Sequence, residues 1–200
     1  MKKIAFIAIL LAACVAAGRA QESRQDVSVS GMGLIEPYIV SSTNVQLHSN
    51  AAYGVLASYR FMLTPSSAIE GNYGITYQNS NTFYVNPVYY PILTRNQEIS
   101  FAYVRTFTFK KFNPFIEGGP AAYVFMPIFN MGTRSLDVKQ QMEIGAMYGA
   151  GIAYEISPSF DIRVEMRGNV TKVPNFQLPL FSTNKWYNIY NPAVGVAYHF

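Results

Sequence analysis

The sequence predicts an all-β chain, eight antiparallel strands running up and down around one closed barrel, and three observations carry that expectation. From Asp26 onward apolar and polar residues alternate with a period of two, the mark of strands with two unlike faces. The connections between alternating stretches are short and long in turn. Two hundred residues is room for one domain, and no linker or tandem repeat interrupts the pattern.

The first residues stand apart from that pattern. Lys2 and Lys3 precede an apolar run from Ile4 to about Ala17 and the small-residue pattern Gly18-Arg19-Ala20, which reads as a cleavable signal peptide over 1–20 ahead of a barrel domain over 21–200. The run is too short to span a bilayer comfortably. A rival cut at "LAAC" would make Cys14 a lipidated first residue. Cys14 is the sole cysteine, so cleavage after Ala20 leaves no disulfide to staple the fold. Cleavage also leaves 12 basic residues against 11 acidic ones, so the formal charge of +4 belongs mostly to the leader and no nucleic-acid partner is implied. Past the leader no apolar run approaches 18 residues, which excludes spanning helices.

The candidate strands are 26–38, 51–64, 67–78, 97–110, 114–125, 141–156, 159–171 and 186–200. In 159–171, Phe160, Ile162, Val164 and Met166 share one face, with Asp161, Arg163, Glu165 and Arg167 on the other. Most strands reach the roughly 9–11 residues that a tilted strand needs to cross a bilayer. Short turns are expected at Pro65-Ser66, Lys111 to Asn113 and Ser157 to Ser159, and longer segments at 39–50, 79–96, 126–140 and 172–185. In an up-and-down barrel the short turns and both termini lie at one end and the long loops at the other.

Alternation does not say which face points outward; the leader combined with the terminal Phe200 is one of three features that break the tie, and the other two lie on the strands. The polar faces are rich in small residues such as Gly74, Gly119, Gly145, Gly149 and Gly151, as a narrow eight-stranded lumen requires. Tyr53, Tyr59, Tyr73, Tyr77, Tyr123, Tyr154, Trp186 and Tyr198 gather toward strand ends, where membrane barrels carry aromatic girdles. The expectation is therefore a transmembrane barrel, apolar outside. The alternative, apolar inside, is a soluble periplasmic lipocalin-like binding protein.

The closing residues Gly195-Val196-Ala197-Tyr198-His199-Phe200 resemble the C-terminal β-signal of bacterial outer-membrane barrels, with Gly195, Tyr198 and Phe200 in its signature positions and Ala193 where a polar residue is usual. Together with "PFIEGG" (Pro114 to Gly119), "YGAGIAYEISPSFDIRVEMR" (Tyr148 to Arg167) and the leader, they resemble the OmpA/OmpX-like small-barrel family. The resemblance implies a Gram-negative outer-membrane location, a lipid and lipopolysaccharide environment, and recognition by the barrel-assembly machinery. Phe200 would be the last lipid-facing residue, pairing with the first strand near Val27.

An apolar exterior turns Glu36, Arg60, Glu70, Glu117, Glu143, Glu155, Asp161, Arg163, Glu165 and Arg167 inward. Buried charges persist when paired, so these ten are expected to form a lumen ion network bridged by Arg60, Arg163 and Arg167. Such a network plugs the lumen, although excess carboxylates could instead line a narrow ion path. Arg105 falls on the apolar face with Phe101, Tyr103, Phe107 and Phe109, which calls for a bulge or for snorkelling. Pro120 and Pro192 lie within strands, pointing to bulges or strand ends.

No catalytic residue is assigned. His48 sits beside Ser49 without an orienting acid, His199 has no nucleophile in sequence reach, and no His or Cys cluster suggests a metal or other cofactor. The expected function is structural, adhesive or surface-interacting rather than enzymatic. A lipid A-modifying enzyme or a transporter of small hydrophobic ligands is the alternative. Apolar residues in the loops 79–96, 126–140 and 172–185 either fold into a lid or offer an extracellular ligand surface.

Overall fold

A computed structural model describes residues 24–41, 45–128 and 136–200. The leader expected over 1–20, Cys14 included, lies outside them. The elements are β1 (Gln25–Leu34), β2 (Ile39–Val40), β3 (Val45–Ser49), β4 (Ala52–Thr64), β5 (Ser67–Val85), β6 (Val88–Thr106), β7 (Phe112–Pro127), β8 (Gln141–Ser157), β9 (Phe160–Lys172), a 3-10 turn at Pro179–Phe181, and β10 (Trp186–His199). β1 and β4 to β10 form the barrel in the order β4-β1-β10-β9-β8-β7-β6-β5, and β4 pairing with β5 closes it. Every ladder is antiparallel. Closure satisfies the backbone without an edge, which hydrocarbon surroundings require.

The period of two sets the faces. In β9, Phe160, Ile162, Val164 and Met166 are exposed, while Asp161, Arg163 and Arg167 are buried. The exposed apolar surface includes Val29, Phe61, Ile69, Phe101, Ile144, Ile152 and Val194, spread over six barrel strands. Tyr53, Tyr59, Tyr73, Tyr77, Tyr154 and Trp186 face outward as the girdle reading requires. Tyr123 does not: its ring lies inside, because odd positions of β7 point inward together with Phe115 and Phe125.

Short turns do fall at one end, at Pro65-Ser66 and Pro158-Ser159. The third is shifted from the expected 111–113 to Lys110-Lys111, where Lys110 has φ 54° and Phe109 and Phe112 bridge. The first strand ends at Leu34 rather than 38, which leaves Glu36 in the segment beyond it. The largest departure is at 79–96, which is not a loop: β5 and β6 each run 19 residues and turn only at Asn86-Pro87. β3 pairs with the upper part of β5, and β2 with β3, so a small sheet rises above the barrel.

A bulge explains why this extension is hard to read. Thr76 pairs with Asn96 and Asn79 with Thr94, so Tyr77 and Gln78 oppose the single residue Arg95. Gln78 takes φ 56°, and the inward set changes from even to odd positions. Opposite this step lies Gly54, where a Cβ would stand 2.1 Å from the Ile75 carbonyl oxygen and 2.8 Å from Thr76 Cα.

Neither strand proline makes a bulge or a strand end. The β1–β10 register is unchanged from Met32↔Ala193 to Ile35↔Tyr190, leaving a gap at Gly33 and Pro192. The side-chain amide of Asn191 donates to the Gly33 carbonyl at 3.0 Å, replacing the donor that Pro192 lacks. Across Pro120 the β6–β7 register also continues, and the neighbouring Gly119 lets the chain approach the Phe101 carbonyl, which a Cβ would meet at 1.9 Å. Arg105 needs no bulge either. It lies in continuous register at the short-turn end, with Nη1 donating to Ser67 Oγ at 2.8 Å, so it snorkels.

Gly54→Ala is expected to destabilise the barrel by about 2–3 kcal/mol, because the clash is with backbone. Gly71→Ala, whose added Cβ would meet only the Phe101 ring at 3.6 Å, is expected to stay within about 0.5 kcal/mol of the parent. Urea unfolding in lipid vesicles checks both.

Candidate functional site

A narrow barrel leaves its inward side chains only one another as partners, and here they sort into layers. At the short-turn end Arg60 Nε donates to Glu70 Oε2 at 2.6 Å and Arg163 Nη2 to Asp26 Oδ2 at 2.7 Å. Arg163 Nη1 lies 3.9 Å from Glu70, joining the two pairs. His199 Nε2 is 2.8 Å from Asp161 Oδ2, which places the penultimate residue against the same layer. The Arg60 guanidinium also lies over the Phe115 ring, 4.9 Å from its centroid.

The middle layer is centred on Arg167, whose residue is only 1% exposed. From β9 it reaches Glu98 of β6, three strands away, with Nη2 donating to Oε1 at 2.8 Å and to Ser100 Oγ at 3.1 Å. Its Nε is 3.3 Å from Glu117 Oε1. The Tyr123 hydroxyl bridges Glu98 Oε2 at 2.9 Å and Asn191 Oδ1 at 3.0 Å, and Asn169 Nδ2 donates to the same Asn191 oxygen at 3.0 Å. Asn191 therefore ties this layer to the β1–β10 seam.

The loop end is sealed by apolar side chains. Leu34, Leu47, Phe83, Ile92, Phe125, Ile189, Phe176 and Phe181 belong to one buried cluster. Phe181 stacks on Phe83 at 4.7 Å between centroids, and Phe176 meets Phe83 edge-on at 6.0 Å. The segment 173–181 thus folds into the barrel mouth. Phe176 and Gln177, at φ 51° and 63°, reverse the chain, and the Phe176 carbonyl accepts from Lys139 N–H at 3.1 Å. Beneath the cluster, Glu36 accepts from Asn79 Nδ2 at 3.1 Å and from the Tyr187 hydroxyl at 3.3 Å. Burial pushes the Glu36 carboxyl above its ordinary value, against the opposing pull of hydrogen bonds with Ser49, Asn79 and Tyr187.

Among the ten residues expected in the lumen network, Arg60, Glu70, Glu117, Arg163 and Arg167 make ion pairs, and Asp161 lies against the His199 ring. Glu36 is buried among neutral partners instead, because it lies beyond β1 at the height of the cap. Glu143, Glu155 and Glu165 are half-buried and join no ion pair among the described residues; Glu143 accepts from Gln141 Nε2. Asp26 and Glu98 were the omissions, and parity would have found both. Asp26 shares the inward face of Ser28 and Ser30, and Glu98 that of Ser100 and Ala102.

His48 and Ser49 do not form a nucleophile pair. Adjacent residues of β3 point to opposite sides: the His48 ring lies outside near Tyr38, and Ser49 Oγ donates to Asn81 Oδ1 at 2.6 Å. Among the described residues no group of three His, Cys, Asp or Glu side chains is arranged to hold a metal. At the other end of the chain, Gly195 pairs with Ser30 and Tyr198 with Val27. Phe200 N–H donates to the Gln25 carbonyl at 3.0 Å, two residues nearer the start of β1 than Val27.

A family model described as outer membrane protein beta-barrel domain matches residues 5–200. Solved structures share the fold at low identity. Neisserial surface protein A is 14% identical over 89% of this chain and 98% of its own, with TM-score 0.62. OprG of Pseudomonas aeruginosa is 10% identical over 90% and 97%, with TM-score 0.66. Ail, the attachment invasion locus protein of Yersinia pestis, in complex with the heparin analogue sucrose octasulfate, is 14% identical over 88% and 99%, with TM-score 0.51. No curated protein matches by sequence. The exposed apolar belt lies in the bacterial outer membrane, which removes the soluble lipocalin-like alternative.

Two outcomes follow from this geometry. Arg167→Met leaves Glu98 and Glu117 buried without their cation and is expected to cost about 3–5 kcal/mol in urea unfolding, with Glu98→Gln added to it recovering part of the loss. For Glu36, a raised folded pKa means the folded state holds the proton more tightly than the unfolded chain. Its contribution is complete below the ordinary carboxylate pKa of about 4.3 and is lost as pH rises through the raised value. The stability difference between wild type and Glu36→Gln should therefore fall as pH rises; a pH-independent difference would contradict the assignment.

Proposed function

The chain belongs to the outer membrane protein beta-barrel domain family, and from that premise we propose that it is a closed surface barrel with a structural and adhesive role, passing no solute through its lumen. The observation that carries this reading is the double seal, an apolar plug at the loop end above charge pairs that cross the barrel. A lumen spanned by the Arg167–Glu98 pair offers an ion no continuous hydrated path without first breaking a buried pair. The sheet that β2, β3 and the upper halves of β5 and β6 raise above the barrel supplies the interacting surface. The Ail structure carries a heparin analogue, a precedent for a small barrel of this shape taking an external ligand.

Within the same reading the ion pairs keep the lumen closed and hold the wall in register. Gly195, Tyr198 and Phe200 form the tag taken up by the barrel-assembly machinery, and lipopolysaccharide surrounds the finished barrel. An enzymatic role has little support, since His48 and Ser49 face apart. A second reading, transport of a small hydrophobic ligand, is favoured by one feature: withdrawal of Phe176 and Phe181 would open an apolar compartment at the mouth.

In planar lipid bilayers the purified barrel is expected to give no conductance steps, and bacteria displaying it to attach to epithelial cells. Replacing residues 79–94 with a two-residue turn is expected to abolish attachment and leave the gel mobility of the folded barrel in place. Steady conductance from the wild type, or equal attachment by the shortened variant, would contradict the reading.

A further inference from the structure

The outer face of the raised sheet carries a cleft that neither the lumen nor the membrane belt uses. Strand register brings its residues together: His48 pairs with Thr82, Gln46 with Tyr84, and Tyr84 with Tyr89. Tyr38 precedes β2 and stands beside His48, with ring centroids 6.3 Å apart at 59°. Tyr84 and Tyr89 form the opposite wall, 4.6 Å apart at 38°. Gln46 and Thr82 lie between the walls, and the half-open cleft has a volume of about 230 Å³.

The composition is unusual for a solvated strand face. Among the described residues no carboxylate, ammonium or guanidinium lines the cleft, and four of the six that do line it carry rings. Depletion of charge with enrichment of aromatics marks binding surfaces rather than bare solvent faces. The Tyr38 hydroxyl donates to Gln46 Oε1, which occupies that oxygen and leaves the amide N–H groups of Gln46 available as donors. The Thr82 hydroxyl and the His48 imidazole add further hydrogen-bonding groups to the lining.

We propose that this cleft binds a neutral pyranose. The C–H face of a sugar ring is weakly electropositive and stacks on the negative face of a tyrosine ring, while its hydroxyls pair with amide, imidazole and hydroxyl groups. Among the described lining residues a sulfated sugar finds no lysine or arginine to offset its charge. Height agrees. Tyr77, with Arg95 over its ring at 5.6 Å, marks the membrane boundary on β5, and Tyr84 lies about 23 Å further along the strand at about 3.3 Å per residue, which is about 18 Å of height for a strand tilted by about 40°. That is the level of saccharide on an outer-membrane surface. The sugar then comes either from lipopolysaccharide of the same membrane or from a glycan outside the cell.

The assignment rests on the proposed surface reading for its extracellular placement, but its test reads neither conductance nor attachment. Saturation-transfer NMR on the detergent-solubilised barrel uses three probes: the neutral outer-core hexose oligosaccharide of lipopolysaccharide freed of its charged inner core, maltoheptaose and sucrose octasulfate. Transfer to the core oligosaccharide alone assigns the membrane's own saccharide, and transfer to maltoheptaose assigns an external glycan. Either supports the cleft if Tyr84→Ala combined with Tyr89→Ala weakens binding about tenfold while the folded gel mobility is retained. If that variant fails to fold, Thr82→Trp, which fills the floor and keeps both walls, must abolish transfer. No transfer to either neutral sugar, binding of the octasulfate only, or binding unchanged in a folded variant overturns the proposal, the first leaving the face to a protein partner.

Discussion

In hydrocarbon every backbone donor and acceptor must find a partner within the protein, and for strands the solution is closure. Here closure is the ladder between β4 and β5, which completes a ring of eight strands. Eight strands give an interior only wide enough for side chains, so the inward residues become one another's solvent. Charge pairing, small residues at close approaches and a covered mouth are all consequences of that width. Even the seam at Pro192, where the ladder loses a donor, is repaired from inside by the Asn191 amide.

The lumen resolves its polarity by layers. Arginines from β4 and β9 meet carboxylates from β1, β5, β6 and β7, so each pair links strands that share no ladder or reinforces one that they do share. Tyr123 joins the two regimes: its hydroxyl belongs to the Glu98 layer and its ring to the apolar cap. The cap in turn uses the inner face of the raised sheet through Leu47, Phe83 and Ile92. Its outer face carries His48, Tyr84 and Tyr89. One sheet thus seals the lumen with alternate residues and displays the remainder.

Much of this was legible because alternation survives wherever one face meets lipid. The β8–β9 hairpin kept strict parity, and Arg163 and Arg167 fell inward as read. Parity also held Asp26 and Glu98, which short polar runs near strand ends obscured. The Gln78 bulge was opaque, since it changes the inward set from even to odd and makes 79–96 look irregular. Tyr123 was misplaced because an aromatic near a strand end fits a girdle as well as a cap. The burial of Phe176 and Phe181 depends on packing against Phe83, nearly a hundred residues away, and no local pattern encodes it.

The lumen is shut at both ends, and thiol accessibility tests that closure. Ser100, 1% exposed in the Arg167 layer, is replaced by cysteine in the chain from residue 21 onward, which has no other. A charged, membrane-impermeant maleimide is then applied to the folded barrel in vesicles with both orientations present. The account predicts no labelling until the barrel is unfolded in urea and complete labelling afterwards. Rapid labelling of the folded protein would contradict it, because water and solute would then already reach the middle of the lumen.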